Sequence, residues 1–350
     1  MYLVGARLVR VPPFEDVTFP FCDADDRARL MTVVHGGAGV GKTSLLAAIV
    51  ATRPGHAVAF GQPRSQDPNR PTYALCEWQL GDDEPERPHA LSVCTPTLRV
   101  ASDDERALLQ RREQALFDKR ASEGGFVFLA FPSMRWFSRA PISITAPLRG
   151  VARYDVRAST SVDDSSSTDL ARECKQALAY AAVSAALRQR AGVGQPDARV
   201  FGDAMMHAVQ TLAALSGVRY IGVDPISLEP MFLRSGGARV TFDGLPTQVR
   251  HLVAFAALTT RALWAAYHDK DPRKSEGVVV IDDVELHQDT ATLTRLPLAL
   301  REALPRVQWI LTTASPTIAE HCDVFEVLAL RRSPDVEVVE LFVGIHARTH

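Results

Sequence analysis

Lysine is scarce in this 350-residue chain, with five residues against 34 arginines. Basic and acidic side chains nearly balance at 39 and 41, leaving a net charge of −2 and no overall basic field to draw in nucleic acid. The arginine excess fits genomic base-composition bias, although arginine also suits phosphate and carboxylate recognition. Cysteine is thin as well. Cys22, Cys76, Cys94, Cys174 and Cys322 are scattered, without a C-x-x-C pair or nearby histidine spacing. That pattern speaks against structural zinc and more strongly against a disulfide framework, so a reducing cytoplasm is the expected compartment. Long hydrophobic runs are missing too. No stretch reaches 18 uninterrupted apolar residues, and the longest helical candidate, Val249 to Tyr267, carries Arg250, His251 and Arg261. Met1 to Val11 holds Arg7 and Arg10 inside its apolar run and lacks a signal-peptide layout. A soluble protein with no membrane partner is expected.

Apolar residues make up 46% of the chain and charged residues 23%, ordinary values for a globular protein with one large or two modest domains. Within it, Gly36-Gly37-Ala38-Gly39-Val40-Gly41-Lys42-Thr43 fits the pattern G-x-x-x-x-G-K-[ST]. A strand-like run, Leu30 to Val34, precedes it, and a helix-like run, Ser44 to Thr52, follows. In that context the glycines let successive N–H groups face phosphate oxygens, and the helix N-terminus adds its positive end. Lys42 would neutralise β- and γ-phosphate charge, and Thr43 would place its hydroxyl on magnesium. The candidate nucleotide-binding set is therefore Gly36, Gly37, Ala38, Gly39, Val40, Gly41, Lys42, Thr43 and Ser44. A glycine-rich turn before a core helix would explain the glycines, but not the lysine and threonine.

The remaining pattern predicts a mainly parallel α/β sheet flanked by helices, with an N-terminal antiparallel β subdomain and a helical insertion. Two short strands, Leu3 to Val9 and Asp16 to Phe21, flank a Pro12-Pro13 turn. After the loop helix come a strand at Ala57 to Phe60 and a polar loop over 61–71. Tyr73 to Leu80 and Ala90 to Cys94 then flank an acidic turn, Gly81 to Arg87, as an antiparallel meander. Ser102 and Glu105 form a capping box for a helix to about Ala121. Phe126 to Phe131 reads as a buried strand. Residues 158–168, rich in Ser, Thr and Asp, read as a linker or disordered insert. Helices are expected near 169–191 and 202–215, with alanine-rich faces suited to close packing. The last part alternates: helix 247–267, strand 277–282, helix 289–303, strand 307–313, then strands near 324–330 and 336–343. The division that follows is 1–132 as an N-terminal lobe, 133–240 as the insertion, and 241–350 as a C-terminal lobe.

Gly277-Val278-Val279-Val280-Ile281-Asp282-Asp283 is an apolar strand ending in two carboxylates. Beside a phosphate loop, Asp282 would hold a magnesium water shell, and Asp283 or Glu285 would orient or deprotonate an attacking water. A strand that ends in a solvated turn has the same pattern, but the pairing with the phosphate loop favours the metal. Lys42 and Asp282 lie 240 residues apart, farther than in RecA-like and AAA+ cores. A GTPase is excluded by the lack of an N-K-x-D or T-K-x-D motif. No short arginine-rich lid of the small-molecule kinase kind follows the loop.

Four segments together resemble the ABC-type ATPases of the SMC, RecF and OLD branch. The opening from Met1-Tyr2-Leu3 through Phe14-Glu15-Asp16-Val17 looks like that family's N-terminal strand pair. The phosphate loop comes next. Ile281-Asp282-Asp283-Val284-Glu285-Leu286-His287 is similar to its "I-D-E-x-E-x-H" segment, which makes His287 a site candidate. Thr312-Thr313-Ala314-Ser315-Pro316 looks like its "T-T-H-S-P" switch. The resemblance implies ATP and Mg2+ as cofactors, with Lys42, Asp283 and Glu285 in catalysis and Thr43 and Asp282 on the metal.

Departures from the family pattern shape the expected activity. Ala314 stands where the family has a histidine. The signature loop "L-S-x-G-x-x-[QR]" is replaced by Leu245-Pro246-Thr247-Gln248-Val249-Arg250, leaving Thr247 and Arg250 as its candidates. No glutamine follows the strand at 126–131. Arg135 instead resembles an arginine found there in OLD-like relatives, and a surface role beside Trp136 accounts for it equally well. Losing one preorganised donor can cost about 10²–10³ in rate, so the expectation is a slow ATPase serving as a nucleotide-dependent switch or clamp. Relatives work in genome maintenance and in defence against phage or plasmid DNA. OLD-like relatives often carry a nuclease domain after the ATPase; the sequence leaves no room for one before His350, so an effector on another polypeptide, or an oligomer, is the expected partner. The alternative is a non-hydrolysing nucleotide-binding scaffold that assembles an effector complex; a small-molecule phosphotransferase ranks third. Nucleic acid as a partner is not supported by charge. Arg99, Arg106, Arg111, Arg112, Lys119 and Arg120 are interleaved with Asp103, Asp104, Glu105, Glu113 and Asp118, as on a solvated, salt-bridged helix.

Overall fold

The computed structural model describes residues 1–53, 72–79, 91–94, 115, 126–139, 142, 144, 169–191, 197–267, 270–333 and 338–348. The expected strand at 57–60, the loop 61–71, the acidic turn 81–87, the linker 158–168 and, save residue 115, the helix 102–121 with its basic cluster lie outside these residues.

In chain order the strands are β1 (Tyr2–Val11), β2 (Phe14–Pro20), β3 (Met31–Gly36), β4 (Tyr73–Gln79), β5 (Leu91–Cys94) and β6 (Phe128–Phe131), then β7 (Arg219–Val223), β8 (Pro230–Leu233), β9 (Arg239–Thr241), β10 (Gly277–Ile281), β11 (Val307–Thr313), β12 (Val327–Arg332) and β13 (Val339–Val343). The helices are α1 (Lys42–Ala51), α2 (Leu170–Ala191), α3 (Asp197–Ala213), α4 (Thr247–Ala266), α5 (Thr290–Ala303) and α6 (Pro316–Glu320).

Six strands form the central sheet in the order β13-β12-β3-β11-β10-β6. All neighbours are parallel except β13, which runs antiparallel to β12. Every residue of β10 and β11 is buried, which is why both read in the sequence as nearly unbroken apolar runs. Successive side chains alternate between two cores. Val33, Val279, Ile281 and Leu311 face a layer built with residues of α2, α3, α4 and α5. Val34, Val278, Val280 and Ile310 face α1 and the antiparallel sheet β2-β1-β4-β5. Gln308 on β11 ties the two sheets: its side chain accepts from Leu3 N at 2.7 Å and donates to Leu3 O at 2.8 Å.

Helices α2 and α3 pack closely, as their alanine content suggested; a Cβ on Gly202 would stand 3.3 Å from Ala185 Cβ. Buried charges fix α2 against its neighbours. Arg261 on α4 donates to Glu173 Oε2 at 2.8 Å, and Lys175 reaches Asp243 and Glu229. Between α3 and α4 the chain adds a three-stranded antiparallel sheet, β7-β8-β9, which the reading of this stretch as helical did not anticipate. One boundary also moves. The strand expected near 324–330 begins at Val327, because Asp323 and Glu326 form a capping box around a 3-10 turn, Val324–Glu326.

Candidate functional site

The phosphate-loop pattern sits where β3 ends and α1 begins, and the two glycines that define it are the two with no room for a side chain. A Cβ at Gly36 would lie 2.6 Å from Leu330 O on the neighbouring strand β12. Gly41 precedes α1 with φ +94°, and a Cβ there would meet Phe14 Cζ and Pro13 Cδ at 2.6 Å each. Gly37, an unconstrained position of the motif, has nothing within 4 Å. The β1–β2 turn thus presses on the loop and forms one wall of the cleft above it. That open cleft of ≈ 690 Å³ is lined by Pro12 and Pro13, by loop residues Ala38, Gly39, Gly41, Lys42, Thr43 and Ser44, and by Asp283, Glu285, Leu286 and Ala314.

Side chains join the loop to the end of β10. Lys42, itself buried, curls over the loop and donates from Nζ to the carbonyls of Gly36 and Gly37, at 2.8 Å each. Thr43 Oγ1 donates to Asp282 Oδ2 at 2.8 Å. The other Asp282 oxygen accepts from Thr312 Oγ1 at 2.5 Å, and that same hydroxyl accepts from Asp283 N at 2.8 Å. Asp282 is fully buried. Glu285 Oε1 accepts from the backbone N of Ala314 at 2.7 Å, while its Oε2 is buried without a hydrogen-bond partner. Asp283 takes a left-handed backbone, φ +42°, rare for a residue with a side chain, and points toward the cleft wall. Burial first, then repulsion from Asp282 and Glu285, hold its carboxyl above the ordinary carboxylate range, against the pull of Lys42 and Arg135. His35, half-buried just ahead of the loop, is kept below its ordinary value by burial and by Lys42.

The remaining candidates, Arg135, His287, Thr247 and Arg250, are absent from the cleft lining. Arg135 lies behind it: Nη1 donates to Asp282 O at 2.7 Å and Pro132 O at 2.9 Å, and Nη2 to Asp283 O at 3.0 Å. Burial lowers its guanidinium to about 10. His287 stacks on His251 of α4, 5.2 Å between centroids. Thr247 and Arg250 do not line the cleft. They bond each other at the start of α4, Arg250 Nη2 to Thr247 Oγ1 at 3.2 Å, and Arg250 sits over the Phe137 ring. Two residues with no role assigned from the sequence matter at the site. Thr312 lies inside the switch-like segment, and its position at the end of a buried strand was the available signal. His251, on the buried face of α4, gave none.

The donor set can be tested for a metal. The Thr43 hydroxyl and the Asp282 carboxylate, 2.8 Å apart, are hard oxygen donors suited to magnesium. Among the described residues no group of three His, Cys, Asp or Glu could hold an ion. An ion here would therefore draw its other ligands from phosphate and water, as magnesium does in nucleotide sites. The residues fit.

No protein-family model matches the chain, and no curated protein sequence does. Solved structures do. The SmcHead bound to the C-winged helix domain of ScpA superposes with a TM-score of 0.54 and 12% identity, covering 98% of each chain. The Smc head domain with an extended coiled coil bound to the C-terminal domain of ScpA, from Pyrococcus furiosus, gives 0.51 and 14%, covering 98% of this chain and 96% of that one. At such identity the likeness establishes the fold alone: a mixed α/β unit with a mostly parallel central sheet and an antiparallel β subdomain, like that of SMC heads. Among the described residues no helix is long and apolar enough to cross a membrane.

Proposed function

We propose that this chain binds ATP with magnesium in the cleft above the phosphate loop and hydrolyses it slowly, as a nucleotide-dependent switch or clamp. The observation that carries the reading is the bridge Thr43–Asp282–Thr312, which brings the phosphate loop and the acidic strand end to one point beside Lys42. The N–H groups of the loop and Lys42 bind the triphosphate; Lys42 must exchange its two carbonyls for phosphate oxygens to do so. Thr43 and Asp282 hold the metal. When bound, magnesium would neutralise triphosphate charge. Asp283, with its raised proton affinity, accepts a proton from the attacking water, and Glu285 braces the segment through Ala314 N.

We assign residues 1–132 and 241–350 to the two lobes of one nucleotide unit, with 133–240 inserted between them. The chain then acts in the cytoplasm with a partner protein, in genome maintenance or in OLD-like antiviral or antiplasmid defence. The two SMC heads named above each carry a bound ScpA domain, which supports the expectation of a protein partner.

A second reading, a scaffold that holds ATP without turnover, is favoured by one observation. Ala314 offers no side chain toward the γ-phosphate, and its N–H engages Glu285. Phosphate release that disappears in Asp283→Asn while nucleotide affinity persists identifies the ATPase. Tight binding with no release in the wild type identifies the scaffold.

A further inference from the structure

The acidic turn is held only in part by its own backbone bonds. Asp283 and His287 are both non-glycine residues in the left-handed region, at φ +42° and +64°. Such conformations are costly and persist where surrounding contacts fix them. Bonds within the turn, Leu286 N to Asp283 O at 3.1 Å and Gln288 N to Glu285 O at 2.9 Å, supply some of them, and Thr312 and Ala314 at the end of β11 supply others; a further set comes from Arg135 and one face of α4. Gln248, His251 and Phe255 lie at i, i+3 and i+7, one helical stripe. Gln248 Nε2 donates to Asp289 Oδ2 at 2.8 Å and to Thr292 Oγ1 at 2.9 Å, and its carbonyl accepts from Gln288 Nε2 at 3.3 Å. His251 stacks on His287, with rings 20° from parallel. Phe255 carries the Arg135 guanidinium, 5.6 Å from its ring centroid. That guanidinium in turn grips the carbonyls of both Asp282 and Asp283. Arg135 and α4 thus hold residues 282–292 along one rack, beside the bonds from Thr312 and Ala314.

We propose that Arg135 is the positioning residue for Asp283, and that α4, through Arg135 on Phe255 and His251 on His287, sets the orientation of the carboxylate in the cleft. The hydrolytic part rests on the function proposed above; the conformational part does not. Lysine is a poor replacement for arginine here, because Arg135 serves three carbonyls from two nitrogens held in a rigid fork, which a single ammonium does not reproduce.

Two measurements on Arg135→Ala and Arg135→Lys test this. Losing two or three buried hydrogen bonds raises amide hydrogen exchange in 283–287 by about 10-fold or more, with β11 and α1 unchanged. Unchanged exchange in that segment, or a uniform rise over the whole chain, overturns the proposal. In turnover, both variants lose about 10²-fold in kcat, as expected for a misplaced catalytic group, with MgATP affinity within about twofold of wild type. In an Asp283→Asn background, Arg135→Ala costs nothing further; multiplying effects overturn the positioning role. If the wild type turns nothing over, the hydrolytic reading fails, and exchange alone decides whether Arg135 holds the turn. Arg135→Lys serves where Arg135→Ala does not fold.

Discussion

Replacing Gly41 by alanine is the sharpest perturbation of the loop, because two separate costs meet there. At φ +94° an L-residue is strained by about 1–2 kcal/mol. The added Cβ would also stand 2.6 Å from Phe14 Cζ and Pro13 Cδ. Neither can swing away. Phe14 is buried and packs edge-on against Phe19 at 5.3 Å, and Pro13 is a ring in a tight turn. Overpacking of that kind costs about 1–3 kcal/mol, so Gly41→Ala should destabilise by about 2–5 kcal/mol in all. Gly37→Ala is the control: same loop, same substitution, open space, and an expected change within about 0.5 kcal/mol. Urea unfolding of the two variants beside the wild type, by circular dichroism, gives the comparison. Equal midpoints for Gly41→Ala and Gly37→Ala would refute the account of why the glycines stand where they do.

Three further outcomes are expected. His251 is fully enclosed, and burial first, then Arg135, His287 and Arg250, push its imidazole down to about 3 from 6.5. An unfolded chain binds a proton there below about pH 6.5 that the native state refuses. The stability is therefore whole above that pH and falls as pH drops, by about 2 kcal/mol at pH 5. In His251→Leu that share of the acid sensitivity is gone; equal losses between pH 7.5 and 5 in variant and wild type would contradict it. Thr312→Val leaves Asp282 Oδ1 and Asp283 N without their shared hydroxyl, destabilising by about 1–3 kcal/mol, and weakens MgATP more than ATP with a chelator present. A stability equal to wild type counts against the bridge. Gln248→Ala, at the far end of the α4 rack, should raise exchange at 288–292 without altering the amides of α1; exchange confined elsewhere speaks against the ladder.

What could be read beforehand followed from local physics. Strands β10 and β11 announce themselves because burial on both faces makes them continuous apolar runs, and the loop does so because Gly36 and Gly41 have no spatial alternative. Strands β7, β8 and β9 were not legible. They are three to five residues long, too short for a period of two to stand out, and β8, although apolar throughout, spans only four residues and opens on a proline. The 3-10 turn at Val324–Glu326 hides in an apolar stretch until Asp323 and Glu326 are seen to bond each other's backbone. Arg135 was noticed, but its grip on Asp282 and Asp283 spans 147 and 148 residues, and no pattern in a single sequence records it. His251 is equally silent in the sequence, because its partner His287 lies on a different element.

The central claim is that Lys42, Thr43 and Asp282 converge on one metal–triphosphate. Titration of the purified chain with a fluorescent ATP analogue, with magnesium and then with a chelator, tests it most directly. The account predicts saturable, magnesium-dependent binding that weakens by about 10–100-fold in Lys42→Ala, where charge-assisted hydrogen bonds are lost. In Asp282→Asn the account predicts affinity that no longer responds to magnesium. A wild-type chain that ignores ATP at millimolar concentration, or variants that bind as it does, would contradict it.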